Sequence, residues 1–350
     1  MSFKQLVRVS TPRTGHKQRD VVLSPDCGNA GFFGVMCEHG ADAIYRTSTL
    51  AKLPLEFAAS VTGMAFRPTA ATAVNSERSP EVAIAYGDAR PWIDLFDLAS
   101  CEPLVRIRFA PVQSVAYNQQ GNMLAGGTTR GTVVVWALSP RGTRTELFYV
   151  NVSRSCIVRL VFNGHGNTVF ALTARGETFM IDAFTGEFHR YQVMGSPQDA
   201  DGFDCWAHDG HRHQPVVAFA GSRDDREVRC LVTVVEIDRG KHFSFATRNV
   251  RYVRRLKFHG EKQLIVIGDA GTELWNLNPV RRVSLKQSGV KLDTELNALT
   301  VGDTIMVVGQ EAVQTVPLRP NPSSDKTDGP DRSVSWRHDD NSASSGRGSA

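Results

Sequence analysis

Residues 114–138, SVAYNQQGNMLAGGTTRGTVVVWAL, read as three short strands joined by two turns. Val115-Ala116-Tyr117 runs into a polar Gln-Gln-Gly-Asn turn, and Met123-Leu124-Ala125 into a Gly-Gly-Thr-Thr-Arg-Gly turn. A β-branched run from Thr132 to Ala137 then carries Trp136 near its end. Alternating apolar residues bounded by Gly, Asn and Thr clusters are the pattern of a half-buried antiparallel sheet, because successive strand side chains face opposite sides. Small residues at the end of the second strand, a tight glycine turn and a β-branched third strand form one unit of a repeat.

Outward from that unit, the same pattern recurs. With Trp136 as the marker near the end of the third strand, equivalent positions fall at Tyr45, Phe96, Ile181, about Glu236, Trp275 and Val316. The intervals are 51, 40, 45, 55, 39 and 41 residues, scattered around the ~40 to 45 residues of a four-stranded propeller blade. The units span approximately residues 20–58, 59–111, 112–153, 154–198, 199–248, 249–290 and 291–320. The second unit, with its 51-residue interval, is stretched by the connection around residues 75–80, and the fifth unit by polar loops at 208–214 and 222–228. The last unit lacks a fourth strand, while residues 3–9 form a spare β-type segment ahead of the first. An unpaired blade edge exposes backbone donors and acceptors, so the spare segment is expected to pair as the outer strand of the seventh blade. The expected fold is all-β: a seven-bladed propeller of four-stranded antiparallel blades, closed by the N-terminal strand in the last blade. A count of six or eight stays open because the fifth unit is long. Residues 321–350, rich in Ser, Asp and Gly and poor in aliphatics, cannot bury enough apolar surface to offset ordering entropy, and a disordered tail is expected there.

The pattern resembles the WD-repeat β-propellers over roughly residues 3–318. The resemblance rests on Ala125-Gly126-Gly127, on the run from Gly131 to Trp136, and on Phe96-Asp97 and Ile181-Asp182 standing where Trp-Asp is usual, with Trp275-Asn276 a further near match. No unit has the family's Gly-His pair at its usual place, and the Asp of the tight turn before the third strand is mostly replaced. The family's Ser/His/Asp hydrogen-bond network is therefore not expected in its usual form. The resemblance implies a non-catalytic interaction platform in a multiprotein complex, by analogy of fold.

At the tight turn, six residues before each marker, stand His39, Arg90, Arg130, Arg175, then roughly Cys230, Asp269 and Gln310. Three consecutive arginines at equivalent turns, preceded by His39, are expected to lie on one face, joined by Arg154, Arg248, Arg251 and Arg254 on neighbouring loops. Guanidinium forks match carboxylate and phosphate, so this arc is a candidate partner-binding surface for an acidic or phosphorylated segment. The competing reading is a row of solvated charges.

Other features carry less. Residues 249–258, NVRYVRRLKF, interleave basic and aromatic side chains as a nucleic-acid groove would, but Val253, Leu256 and Phe258 read better as the core side of a strand. With 40 basic against 36 acidic residues and a net charge of +4, composition weighs against nucleic acid. The Phe-Arg-Arg-Gly mark of lipid-binding propellers is absent, and Val253-Arg254-Arg255-Leu256 comes nearest. Cys205, His208, His211 and His213 could supply zinc ligands, yet a solvated His-rich loop is preferred. The six cysteines lack a C-x-x-C pair and read as reduced, mostly core, residues. Asn151-Val152-Ser153 reads as a chance sequon. No nucleophile elbow, phosphate-cradling loop or dinucleotide fingerprint appears; neither catalysis nor a cofactor nor a bound metal is expected, and an enzyme or small-ligand propeller is the rival reading. With no secretory signal and no long apolar run, an intracellular, cytoplasmic or nuclear protein is expected. Arg332-Ser333-Val334-Ser335-Trp336 in the tail is a candidate phosphorylation or short-motif site.

Overall fold

The computed structural model describes residues 18–23, 31–37, 42–49, 51–68, 79–139, 144–191, 204–210, 216–222, 230–236, 241–248, 250, 253–259, 262–268, 271–283, 297–301, 304–308, 313–317 and 335–338. Apart from a single 3-10 turn, Gly87–Ala89, the regular structure among them is all β. The strands fall in chain order into seven antiparallel sheets. The first sheet holds β1 (Gln18–Leu23), β2 (Phe32–Cys37) and β3 (Ala43–Arg46), and the second β4 (Gly63–Phe66), β5 (Glu81–Ala85), β6 (Trp92–Asp97) and β7 (Pro103–Arg108). The third holds β8 (Val112–Tyr117), β9 (Met123–Thr128), β10 (Thr132–Leu138) and β11 (Arg144–Asn151). The fourth holds β12 (Ile157–Phe162), β13 (Thr168–Thr173), β14 (Thr178–Asp182) and β15 (Phe188–Tyr191). β16 (Asp204–Gly210), β17 (Val216–Ser222), β18 (Leu231–Glu236) and β19 (Lys241–Ala246) form the fifth, and β20 (Val253–His259), β21 (Gln263–Gly268), β22 (Gly271–Leu277) and β23 (Val280–Val283) the sixth. The seventh holds β24 (Asn297–Val301), β25 (Thr304–Val308) and β26 (Val313–Pro317). A last strand, β27 (Ser335–His338), joins the fifth sheet on its outer edge.

Every marker residue, from Tyr45 to Val316, lies on the third strand of its sheet. Side chains alternate between the two neighbouring sheets, as a period of two requires. Val133 and Val135 enter a cluster with Leu160, Phe162 and Ile181 of the fourth sheet, whereas Val134 and Trp136 enter one with Ala83, Ile93 and Leu95 of the second. The core is thus a series of layers between sheets. Second strands such as β5 and β9 are buried along their whole length, while the outer strands β7, β11 and β15 are mostly exposed. The small residues of β9 have a packing cause: a Cβ on Gly126 would stand 3.0 Å from the Trp136 ring.

Turn chemistry repeats with the sheets. Asn118 Oδ1 accepts from the backbone N–H groups of Asn122 and Met123, and Asn163 Oδ1 from those of Asn167 and Thr168. Between third and fourth strands, Asp97 accepts from Ala99 and Ser100, and Asp182 from Phe184 and Thr185. Such side-chain acceptors turn the chain by satisfying donors that the ladder leaves over. The N–H of Thr185, followed by that of Phe184, holds the Asp182 carboxyl below its ordinary range. The Asp of the Phe-Asp and Ile-Asp pairs is therefore a turn-former. First strands repeat too: β1, β8, β12, β16 and β20 each carry a register shift near their start.

The tail reading covers residues 321–350, of which only residues 335–338 are described; these four form β27, a strand where none was expected. The closing segment, residues 3–9, lies outside the described residues.

Candidate functional site

The arginine turns resolve into two matched members and one different one. In Thr128-Thr129-Arg130-Gly131, Thr128 Oγ1 accepts from Arg130 N at 3.3 Å and Thr132 N at 2.9 Å. In Thr173-Ala174-Arg175-Gly176, Thr173 Oγ1 accepts from Arg175 N at 3.3 Å and Glu177 N at 3.1 Å. Gly131 and Gly176 have φ of 80° and 78°, the left-handed region that glycine enters without a Cβ clash. The Thr-x-Arg-Gly sequence is thus one turn made twice, with its arginine exposed both times.

Hydrogen bonds bring these turns together. Gly131 O accepts from Val152 N and Ser153 N, so the connection leading to β12 wraps under the first turn. Ser153 Oγ donates to Glu177 Oε2 at 2.9 Å, tying that connection to the second turn. Arg154, the next residue, is exposed on this bridge. Among the described residues, the guanidinium groups of Arg130, Arg154 and Arg175 have no hydrogen-bond or ion-pair partner. On the other side, Thr129 Oγ1 donates to Asp88 Oδ1 at 3.1 Å, joining the turns of the second and third sheets. Asp88 and Glu177 make the surface mixed in charge, and Glu177 also lies 3.8 Å from Arg190.

Arg90 does not sit in an equivalent turn. It follows the 3-10 turn with an extended backbone and lays its guanidinium 5.2 Å from the centroid of Trp92. Arg248 is exposed on the connection between β19 and β20 and uses its backbone N–H to reach Glu273. Arg254 lies in β20, while His39 and Arg251 lie outside the described residues.

Buried acids stand on two of the third strands. Asp94, in β6, accepts from Tyr86 Oη at 3.1 Å, Trp92 Nε1 at 3.3 Å and both Nε and Nη2 of Arg106. Burial, then the Asp94 charge, raises the Tyr86 hydroxyl well above its ordinary range. Glu273, in β22, accepts from Arg248 N and Trp275 Nε1. At the junction of the second and third sheets, Glu81 accepts from Tyr117 Oη at 2.6 Å and Arg67 Nη1 at 3.0 Å. These groups brace the sheets from within. Sequence reading missed them, although Trp92 and Asp94, and Glu273 and Trp275, stand two apart and so share a strand face.

The outer strands of the second to fourth sheets carry the other distinctive surface. Leu104 on β7, Leu147 and Tyr149 on β11, Phe184 in the turn after β14 and Phe188 on β15 are exposed, Tyr149 by 68% and Phe184 by 58%. An open cavity of about 710 Å³ lies here, lined by residues that include Val150, Met180, Thr185, Phe188 and His189.

The remaining candidates find these places. His208 and Asp209 belong to β16, and His211 and His213 lie outside the described residues. Among the described residues no three His, Cys, Asp or Glu side chains cluster as a metal site would require. Cys37 and Cys230 are buried; burial, then the Asp42 charge, pushes the Cys37 thiol up. No described helix is long and apolar enough to cross a membrane. No protein-family model matches the chain, and the search of curated proteins finds no match.

Proposed function

We propose that the chain is a closed seven-bladed β-propeller of the WD-repeat type and serves as a non-catalytic, intracellular interaction platform in a multiprotein complex. Seven sheets in chain order support the ring, as does the neighbourhood of their first strands: β24, β1, β4, β8, β12, β16 and β20 each lie beside the next as far as β20. In particular β1, from the first sheet, lies beside β24, from the last. The observation that carries the platform reading is the rim. Among the described residues, five of the six large exposed apolar side chains belong to outer strands or the adjoining turn of the second to fourth sheets, and Val158 lies elsewhere. Exposed aromatic and aliphatic groups gathered in one region are the anchors of protein interfaces.

Affinity purification of the tagged chain is the test. It should recover partner proteins in stoichiometric amounts, and Tyr149→Glu with Phe188→Glu should lower that recovery by roughly tenfold or more, as loss of two anchors would. Both side chains are exposed, so the melting temperature should stay where it was. A chain recovered alone, or partners retained in full by the double variant, would sink the reading.

A second reading rests on the twin turns: an acidic or phosphorylated segment binds across Arg130, Arg154 and Arg175. Guanidinium groups held alike and without partners fit such a ligand. On a phosphate-bearing matrix, Arg130→Glu with Arg175→Glu should elute at lower salt than Arg281→Glu with Arg282→Glu, which makes the same charge change on β23. Equal shifts would reduce the effect to bulk charge.

A further inference from the structure

The outer strands of the described four-stranded sheets each carry a formal charge beyond their first residue, and β19 does not. β7 carries Arg106 and Arg108, β11 Arg144 and Glu146, β15 Arg190, and β23 Arg281 and Arg282. Charges on an edge strand guard its unpaired N–H and C=O groups against addition of another strand. β19, Lys-His-Phe-Ser-Phe-Ala, has one formal charge, on its first residue. Its interior is also buried, where β7, β11 and β15 are mostly exposed: His242, Phe243 and Phe245 are at 7%, 4% and 1% exposure. This is the edge on which the chain lays β27, antiparallel, with Lys241 opposite His338, Phe243 opposite Trp336 and Ser244 opposite Ser335.

We propose that the outer edge of the fifth sheet is a peptide-binding site that works by strand addition, and that Ser335–His338 is its intramolecular occupant. Backbone pairing supplies the affinity, and the alternation along β19 sets the preference for an extended segment with an aromatic residue opposite Phe243. The ligand class is an uncharged or basic extended peptide of the Ser-Trp-Arg-His kind. Four paired residues make a weak strand, which occupancy depends on tethering to sustain. The 17 residues 318–334 connect β26 to β27, and a tether of that size holds its strand at an effective concentration of about 1 mM. An external peptide must compete with that. The site is consequently closed to weak ligands and opens when the tail is displaced. Ser335 lies on the paired strand, so a phosphate there would add charge to the edge and favour displacement. The inference does not depend on the blade count or on the rim surface.

The test uses the full-length chain and a labelled peptide spanning residues 331–340, followed by fluorescence anisotropy. Trp336→Pro with Arg337→Pro breaks β27 in either pairing phase, because proline has no N–H to give the ladder. The double variant should bind the peptide about tenfold more tightly than the unaltered chain, as expected when the tethered competitor is lost and the edge is kept. A peptide carrying the same two prolines should not bind. A chain ending at residue 330 reaches the open edge by a second route and should match the double variant. No binding by any chain, equal binding by the unaltered and broken-tail chains, or binding of the proline peptide would overturn the proposal. A dimer that becomes monomeric on breaking β27 would assign the strand to a second copy and overturn the intramolecular occupancy.

Discussion

Gly131→Ala is expected to lower stability by about 3 to 5 kcal/mol, the range reached when backbone strain and a buried clash act together. The backbone at Gly131 has φ of 80°, where an L-residue costs about 1–2 kcal/mol. The larger contribution is steric. A Cβ there would lie 2.0 Å from Ser153 O, 2.6 Å from Ser153 C and 2.8 Å from Ser155 O. All three are backbone atoms, so no side chain can swing aside. The connection cannot withdraw easily, because Val152 N and Ser153 N both bond to Gly131 O, and Ser153 Oγ holds Glu177 of the next sheet. Relief of the clash therefore breaks the bridge between the third and fourth sheets. Urea unfolding should show a lower midpoint with an unchanged slope, since the surface exposed on unfolding is the same. A loss below about 1 kcal/mol would mean that the connection yields freely, and the placement of Arg154 on a rigid bridge would fall with it.

The repeat was legible wherever its carrier was a side chain of a type that turns or strands demand. Residues 114–138 show it best, because the Trp136 ring needs the small residues of β9 and the turn before β10 needs Gly131. All the third-strand markers followed from that unit. The arginine turns were legible only in part. Counting six back from Phe96 reaches Arg90, but residues 86–91 separate β5 from β6, against residues 129–131 between β9 and β10. The longer connection winds into a 3-10 turn and moves Arg90 onto Trp92. Cys101 hides the kinship of another turn, since it takes φ of 61° at the place where the fourth sheet has Gly186 at 74°. β27 was illegible for a different reason. Its pairing is made by backbone groups, which every sequence possesses, and its four residues give no periodicity to count. What exposes it is the partner, β19, whose residues His242 to Ala246 carry no formal charge, unlike the interiors of β7, β11, β15 and β23.

Glu273→Ala is expected to cost about 3 to 4 kcal/mol, from buried donors left unpaired. The carboxylate is 3% exposed. Its Oε1 accepts from Arg248 N at 3.0 Å and Val250 N at 3.4 Å, and its Oε2 accepts from Trp275 Nε1 at 2.9 Å. Trp275 is fully buried and packs against Phe245 with its ring tilted, at 4.3 Å between ring centroids, so its N–H cannot turn to water. Removing the acceptor orphans that donor and loosens the connection between β19 and β20, whose Arg248 and Val250 amides it holds. Some of the loss is offset, because a buried carboxylate no longer has to be desolvated. Glu273→Gln should cost about half as much, for it keeps one acceptor but turns an NH2 toward a donor. Adding Trp275→Phe to Glu273→Gln should cost less than the sum of the two single changes, since the indole donor and its acceptor are then removed together. Hydrogen exchange distinguishes this local account from general weakening: the Arg248 and Val250 amides should lose protection in Glu273→Ala by more than the amides of β13, in the fourth sheet. Strict additivity in the double variant, or uniform loss of protection across the sheets, would show that Glu273 does not clasp the fifth sheet to the sixth.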